Sequence, residues 1–273
     1  MGPTSTQPTG PTLPESVRLV REEVGPDSDS VPIASHREWE TRFPWLVQGV
    51  TCRGPMDSPF DLALAGDRMG DGAWERWAAL LAVLDMDRAA LGRQVHGSVV
   101  RFHREGAVGV SITPGTDGHV TRTRGLLVAV TVADCVPVTI VDPGRRAVAV
   151  VHAGWRGTAA GALEAGVEVL AERLGSRPEC LHVHLGPAIC GSCYEVGPEV
   201  HAALALPEPG GSAPVDLRAV LARRALEAGV EGGRMTVSEW CTRCGDSPFF
   251  SHRGGDAERQ VAFAGLSGRA QAR

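Results

Sequence analysis

Three short islands in the middle of the chain carry the residue types most able to do chemistry. They are Gln94-Val95-His96-Gly97, Ala133-Asp134-Cys135 and His152-Ala153-Gly154-Trp155-Arg156-Gly157. Each puts one borderline or soft metal ligand beside small residues where an apolar run begins or stops. Two imidazoles and one thiolate make a three-ligand set. Structural zinc sites close with four ligands, whereas catalytic ones keep a fourth position for water or substrate. The same residues could also work without metal, with Cys135 as nucleophile and His96 or His152 as its base. Glycine at 97 and 154 lets backbone come close to a ligand. Asp134 and Arg156 supply charge beside the ligands. The Gly154-x-x-Gly157 turn opens a helix, whose free amides attract anions; with Arg53 and Arg156 it points to a phosphate or other anionic substrate.

The elements that must position these residues can be read from pattern. Trp45–Cys52 reads as a strand, and Ala73–Leu84 as a helix with Trp74, Trp77, Ala78, Leu81 and Leu84 on its buried face. Gln94–His103 holds a short strand with His96 at its start, and residues 104–118 are glycine-rich and loop-like. Leu126–Ala133, Val136–Val141 and Ala147–Val151 are apolar β-branched strands. A helix follows from Thr158 to Leu174, stopped by Gly175. Leu181–Leu185 and Met235–Glu239 read as strands, Asp216–Ala228 as a helix capped by Asp216, and 259–266 completes the fold. Strands and helices alternate irregularly, so a mixed sheet with helices packed outside it is expected, as one domain over 31–273. Residues 1–30, rich in Pro, Thr, Ser, Asp and Gly, read as a disordered tail.

Composition narrows the chemistry. All 27 basic residues are arginine, since the chain has no lysine. Schiff-base enzymes, Walker-type P-loops and kinases are thereby excluded. No Gly-x-Ser-x-Gly elbow is present, which argues against a serine hydrolase. The net charge of −5 gives no reason to expect nucleic-acid binding, and no apolar run is long enough to span a membrane. No signal peptide is recognisable, so the seven cysteines are expected as reduced thiols in cytoplasm. Cys190-x-x-Cys193 and Cys241-x-x-Cys244 are two pairs of the kind that can make a structural zinc site, but the 47 residues between them, well beyond the usual zinc-ribbon spacing of about 15–20, argue against a shared ion. His182 and His184 share one strand face, but no third ligand lies nearby in sequence.

The three islands, together with Gly186-Pro187-Ala188-Ile189, Cys193-Tyr194-Glu195-Val196-Gly197, Cys241-Thr242-x-Cys244 and Phe249-Phe250-Ser251-His252-Arg253, resemble the YfiH-type laccase-domain family over roughly residues 40–266. That resemblance implies an α+β fold, a layered α/β/β/α sandwich with mixed β-sheets. It implies zinc held by His96, Cys135 and His152, which would also be the catalytic core. The implied activity is purine nucleoside phosphorolysis, with phosphate as co-substrate and adenosine deamination alongside. The family also bears an older label of copper polyphenol oxidase; copper could occupy the three ligands, but nine histidines are few for a multicopper enzyme. Tyr194, the sole tyrosine, falls in a matching island and could stack on or hydrogen-bond a purine. A monomer is expected. Two departures stand out: Asp61 sits where the family shows an asparagine-containing element, and Arg253-Gly254-Gly255-Asp256 replaces a double arginine.

Overall fold

The structure is a computed structural model that describes residues 11–25, 31–64 and 69–268. In chain order it contains β1 (Arg18–Val20), β2 (Glu23–Val24), β3 (Ile33–Ser35), α1 (Arg37–Arg42), β4 (Leu46–Thr51), α2 (Ala73–Val83), β5 (Arg88–Arg93), β6 (Val100–His103), β7 (Gly109–Pro114) and β8 (Gly118–Thr121). There follow β9 (Leu126–Val132), β10 (Val136–Asp142), β11 (Ala147–Ala153), α3 (Trp155–Ala159), α4 (Ala162–Leu174), β12 (His182–Leu185), β13 (Glu195–Val196), α5 (Pro198–Ala203), β14 (Ala213–Pro214), α6 (Leu217–Glu227), β15 (Met235–Ser238) and β16 (Gln260–Leu266).

Two seven-stranded mixed sheets carry the fold, ordered β1-β15-β12-β10-β11-β8-β6 and β2-β3-β4-β16-β9-β5-β7. Their inner faces meet through Val141, Val148 and Val150 from one sheet and Val128, Val130 and Ala262 from the other. The outer face of the first sheet is covered by α4 and α6 through Leu163, Leu170 and Leu221. The outer face of the second is covered by α2 through Trp77 and Leu80. These layers are the expected α/β/β/α sandwich. Strands buried on both faces need apolar side chains throughout, which is why β9, β10 and β11 were legible as continuous runs.

Several expectations change. The boundary at residue 30 is too late, because β1 pairs with β15 and β2 with β3, one strand in each sheet. Glu22, between them, is buried and accepts from His184 Nε2 at 2.6 Å and Ser238 Oγ at 2.7 Å. These buried polar links, which composition cannot show, join the strand pairings in anchoring the segment. Residues 1–10 and 26–30 of that expected tail lie outside the described residues. Residues 104–118 are not simply loop: β7 runs parallel to β5 at a sheet edge, where half-exposed side chains blur the alternation. Trp74 is 49% exposed because it lies at the margin of the α2 face that buries Ala73, Trp77, Leu80 and Leu81. The helix read from Thr158 is two helices, broken at Gly161 with φ +81°. No helix among the described residues is long and apolar enough to cross a membrane. His182 and His184 do share a face, but they bond to Arg234 and to Glu22 and Thr236 rather than to a common centre.

The space between the sheets also holds His36, stacked on Trp39 at 4.8 Å and bonded through Nε2 to Thr236 Oγ1 at 3.2 Å. Burial, reinforced by His184 and only partly opposed by Glu22, pushes its pKa down to about 3. A histidine held neutral in the fold loses stability as pH falls below its unfolded value near 6.5, because only the unfolded chain then takes up the proton. Between pH 7.5 and 5 that amounts to on the order of 2 kcal/mol. His36→Phe, which keeps the stacking partner, is therefore expected to show less loss of stability than wild type over this interval, by that order. Urea midpoints at the two pH values check it; parallel pH dependence in both proteins would be the contrary result.

Candidate metal-binding active site

The three islands meet where the chain passes between the sheets. Residues 94–99 lead from β5 in one sheet to β6 in the other, and 133–135 lead from β9 to β10 across the same gap. β10 then pairs with β11 so that Val136 faces Ala153 and Pro137 faces His152. Cys135 is thereby placed one residue beyond the end of the ladder, beside His152. The ligand atoms of His96, Cys135 and His152 lie within 4.8 Å of one another. His152 is buried, Cys135 half-buried and His96 exposed. The convergence point is a crossover between two sheets rather than one sheet edge, and His96 sits in the connecting loop rather than at a strand start.

A residue that the sequence did not single out organises this cluster. Asp117 is fully buried immediately before β8. Its Oδ1 accepts from the His96 amide at 2.8 Å and lies 3.1 Å from His152 Nδ1; its Oδ2 accepts from the amides of Val95 at 3.1 Å and Gly97 at 3.0 Å. Its backbone carbonyl accepts from the His152 amide at 2.7 Å. Burial works against the charge of Asp117, yet the His152 bond and the Val95 and Gly97 amides hold its carboxyl below the usual range. With Nδ1 donating to Asp117, Nε2 is the ring nitrogen turned toward Cys135 and the one that would meet a metal on giving up its proton, the arrangement that orients metal-bound imidazoles. No signal in the sequence marked it, because Asp117 falls in the 104–118 stretch that reads as loop.

The backbone is strained at two of the islands. His96 has φ +59° and Asp134 has φ +82°, both in the left-handed region that costs a non-glycine residue on the order of 1–3 kcal/mol. The Asp117 bonds offset the first. Asp134 offsets its own: Oδ1 accepts from Thr242 Oγ1 at 2.6 Å, Oδ2 from the Arg253 amide at 2.6 Å, and its carbonyl from the Ile189 amide at 3.0 Å. Gly154 must be glycine, since a Cβ there would lie 2.8 Å from Cys135 Sγ and 3.3 Å from His96 Cδ2. At Gly157 a Cβ would meet the Gly97 carbonyl at 2.9 Å, so the His96 loop also rests on the α3 turn.

The electrostatics favour a thiolate. Burial opposes ionisation of Cys135, but His152 and His96 outweigh it and draw its pKa down to about 6. Burial likewise opposes charge on His152, but Cys135 and Asp117 lift its pKa to about 9. A deprotonated sulfur flanked by two imidazoles is a donor set that fits a divalent ion of the zinc or copper class. The cluster opens into a cleft of about 750 Å³ lined also by Gln94, Thr131, His252, Asp256 and Arg259. Gln94 closes one wall by bonding Thr131 through both ends of its amide.

The expected substrate contacts distribute unevenly. Neither Arg156 nor Tyr194 is among the residues lining this cleft, and nor is Arg53. Its guanidinium forms a bidentate pair with Asp256 at 3.0 and 2.7 Å and donates to the Phe249 carbonyl, so it braces the wall from behind and faces a separate cleft. Arg156 is exposed in the first turn of α3, over the Trp155 ring at 4.2 Å. Tyr194 is half-buried beneath the Arg253 guanidinium, 5.1 Å from ring to Cζ. Burial, then the charge on Cys135, pushes its phenol up to about 12, so it remains a hydrogen-bond donor at neutral pH. Asp61 accepts from the amides of Ala63 and Arg259, a structural use of the carboxylate that stands at the family's asparagine element. Arg259 and His252 also line the cleft; His252 fell in an island of the family resemblance without being singled out, and Arg259 had no distinguishing signal in the sequence.

The two Cys-x-x-Cys pairs also converge, contrary to the expectation from their separation. Loop length sets only a weak entropic limit once a folded scaffold has brought the ends together.

The family model described as "Multi-copper polyphenol oxidoreductase laccase" matches residues 56–267. The chain belongs to this family. It is 34% identical over 239 residues to "Adenosine deaminase RL5" from an unknown prokaryotic organism, an alignment covering 77% of this chain and 91% of that protein. It is 34% identical over 251 residues to "Purine nucleoside phosphorylase YlmD" of Geobacillus stearothermophilus, covering 82% and 91%. Among solved structures, YfiH of Bacillus licheniformis superposes with a TM-score of 0.79 at 27% identity, over 89% of this chain and 99% of that one. YlmD of Geobacillus stearothermophilus superposes with a TM-score of 0.77 at 29% identity, over 90% and 99%.

Asp117→Asn keeps the shape of the carboxylate but turns an NH2 toward donors. We expect it to weaken zinc binding about 10- to 100-fold, measured by competition with a chromophoric chelator. Gly154→Ala is expected to reduce zinc bound at the three-ligand cluster, because the methyl occupies space next to the sulfur; unchanged affinity in either variant would show that these contacts do not shape the cluster.

Proposed function

We propose that this chain is a purine nucleoside phosphorylase with an accompanying adenosine deaminase activity, using zinc held by His96, Cys135 and His152. The observation that carries the reading is the three-ligand group itself: its donor atoms lie within 4.8 Å of one another, and the group opens onto a cleft of nucleoside size. The names of the relatives, a phosphorylase and a deaminase, support the same reading. Substrates are inosine, guanosine, adenosine or methylthioadenosine, and phosphate.

In phosphorolysis a phosphate oxygen bonds to the anomeric carbon as the bond to the purine nitrogen breaks. The products are the free base and ribose 1-phosphate, or its methylthio derivative. Arg156 and Arg253, with Arg259 on the cleft wall, bring the positive charge that the phosphate needs in a chain without lysine. Tyr194 donates from its protonated phenol or stacks on the base. In deamination, water adds to the purine carbon that bears the amino group and ammonia leaves. Zinc at the three ligands would supply Lewis acidity and a water acidic enough to ionise near pH 7. Asp117 keeps His152 in the tautomer this requires. A two-imidazole, one-thiolate set is small for multicopper oxidation, and the other metal-capable group among the described residues is all thiolate.

A second reading rests on the low thiol pKa: Cys135 as nucleophile in a metal-independent hydrolase, with His152 as its proton partner. Incubation of the pure protein with inosine and phosphate is expected to release hypoxanthine, and adenosine without phosphate to release ammonia. Both rates should fall about 100-fold or more in Cys135→Ala. Loss of activity to a chelator and its return with zinc selects the metal reading; full activity in metal-free protein selects the thiol. No hypoxanthine above the Cys135→Ala background rejects the phosphorylase.

A further inference from the structure

Cys190, Cys193, Cys241 and Cys244 lie outside the cleft, and the proposed reaction makes no use of their thiols. Their Sγ atoms lie within 4.8 Å of one another, with Cys190 and Cys244 at 4.0 Å. Two turns present them. A single 3-10 turn, Gly191–Cys193, carries the first pair. The second pair begins at the isolated parallel bridge between Ala188 and Cys241, and the Thr242 amide donates to the Ala188 carbonyl at 3.1 Å. Gly245, directly after the last cysteine, takes φ +68° and turns the chain back.

The spacing and the surroundings both indicate a bound cation. Four sulfurs at about 2.3 Å from a tetrahedral zinc sit about 3.8 Å from one another; Cys190 and Cys244 stand at 4.0 Å, and no pair is more than 4.8 Å apart. Cys241 Sγ accepts backbone N–H groups from Cys190 at 3.3 Å, Arg243 at 3.4 Å and Cys244 at 3.4 Å. Three amides aimed at one sulfur favour a thiolate over a thiol, and such bonds orient and tune metal-bound sulfur. Arg243 lies in the second turn and reaches across to the Cys193 carbonyl at 3.3 Å, placing positive charge beside what would be a dianionic centre. Thiolate-only donors select soft or borderline metals, and a four-ligand tetrahedral set is the closed, structural kind.

We propose that these four cysteines bind a structural zinc ion, separate from the His96–Cys135–His152 group, with release of the thiol protons on binding. The ion ties the 188–193 turn to the 241–245 turn. Those turns deliver the Ile189 amide and the Thr242 hydroxyl to Asp134, and Tyr194 follows the first of them. Asp134 immediately precedes Cys135. The clamp therefore holds the outer supports of the neighbouring cluster in place, as a positioning element with no open position for substrate.

Metal counting on protein made with zinc and kept under thiol reductant tests this without any activity assay. Cys135→Ala removes the other thiolate, and after dialysis against a weak chelator we expect close to one zinc per chain. Adding Cys190→Ser and Cys244→Ser should bring the count near zero. Should the triple variant not fold, cobalt(II) added to metal-free Cys135→Ala reads the cluster directly, with expected tetrahedral ligand-field bands and intense thiolate-to-cobalt charge transfer. A zinc-free Cys135→Ala protein lacking that spectrum, with the four thiols reacting freely or joined as disulfides, would overturn the proposal. Because the count is read in a chain lacking Cys135, it is independent of whether the phosphorylase reading holds.

Discussion

The arrangement at the candidate active site depends on one buried carboxylate. Asp117 is enclosed at the start of β8 and accepts three consecutive amides of the His96 loop while standing beside His152 Nδ1. A buried charge is costly unless it is fully hydrogen-bonded, and here the partners are the groups that must be fixed for His96 and His152 to face one point. The same contacts thus compensate the charge, hold His96 at a backbone angle it would otherwise avoid, and set the tautomer of His152. An apolar residue at 117 would free the loop amides and leave the ring orientation open.

The second constraint is the gap between the sheets. Short connections that cross from one sheet to the other leave strand ends unpaired, and their backbone groups need other partners. The segments 94–99 and 133–135 make that crossing, and the partners come from elsewhere in the chain: Asp117 for one, and Ile189, Thr242 and Arg253 around Asp134 for the other. Local strain at His96 and Asp134 is held by contacts distant in sequence. This coupling explains why residues from several stretches distant in sequence must be in place before the three ligands can meet. It also explains why glycine is required at 154, where two ligands press on the backbone from one side.

Two sulfur-containing groups then differ by their closure. Three ligands against a cleft leave room for chemistry, whereas four thiols in two facing turns do not. The arginines follow a similar division. Arg53 is engaged behind the wall with Asp256 and the Phe249 carbonyl, while Arg259 serves both uses, its Nη1 donating to the carbonyls of Asp256, Ala257 and Glu258 as its side chain lines the cleft. Arg156 stands exposed on a short helix, and Arg253 covers Tyr194. A chain without lysine assigns both wall-building and anion attraction to one side-chain type, so only position tells the two uses apart.

The sequence by itself determined the buried strands β9, β10 and β11, the helices α2, α4 and α6, and the identity of His96, Cys135 and His152 as a candidate ligand set. Those features are local: periodicity, caps and strand ends are written within a dozen residues. It also excluded lysine chemistry outright. Edge strands such as β7, the short β1 and β2, and α5 escaped it, because half-exposed or very short elements carry little pattern. Only the tertiary structure decided that consecutive strands β9 and β10 lie in different sheets, that Asp117 supports two of the three ligands, that Arg53 serves Asp256, and that cysteines 47 residues apart share one corner. Each of these is a pairing between distant residues. Spacing along the chain places no bound on such pairings once two packed sheets have brought their loops to the same end.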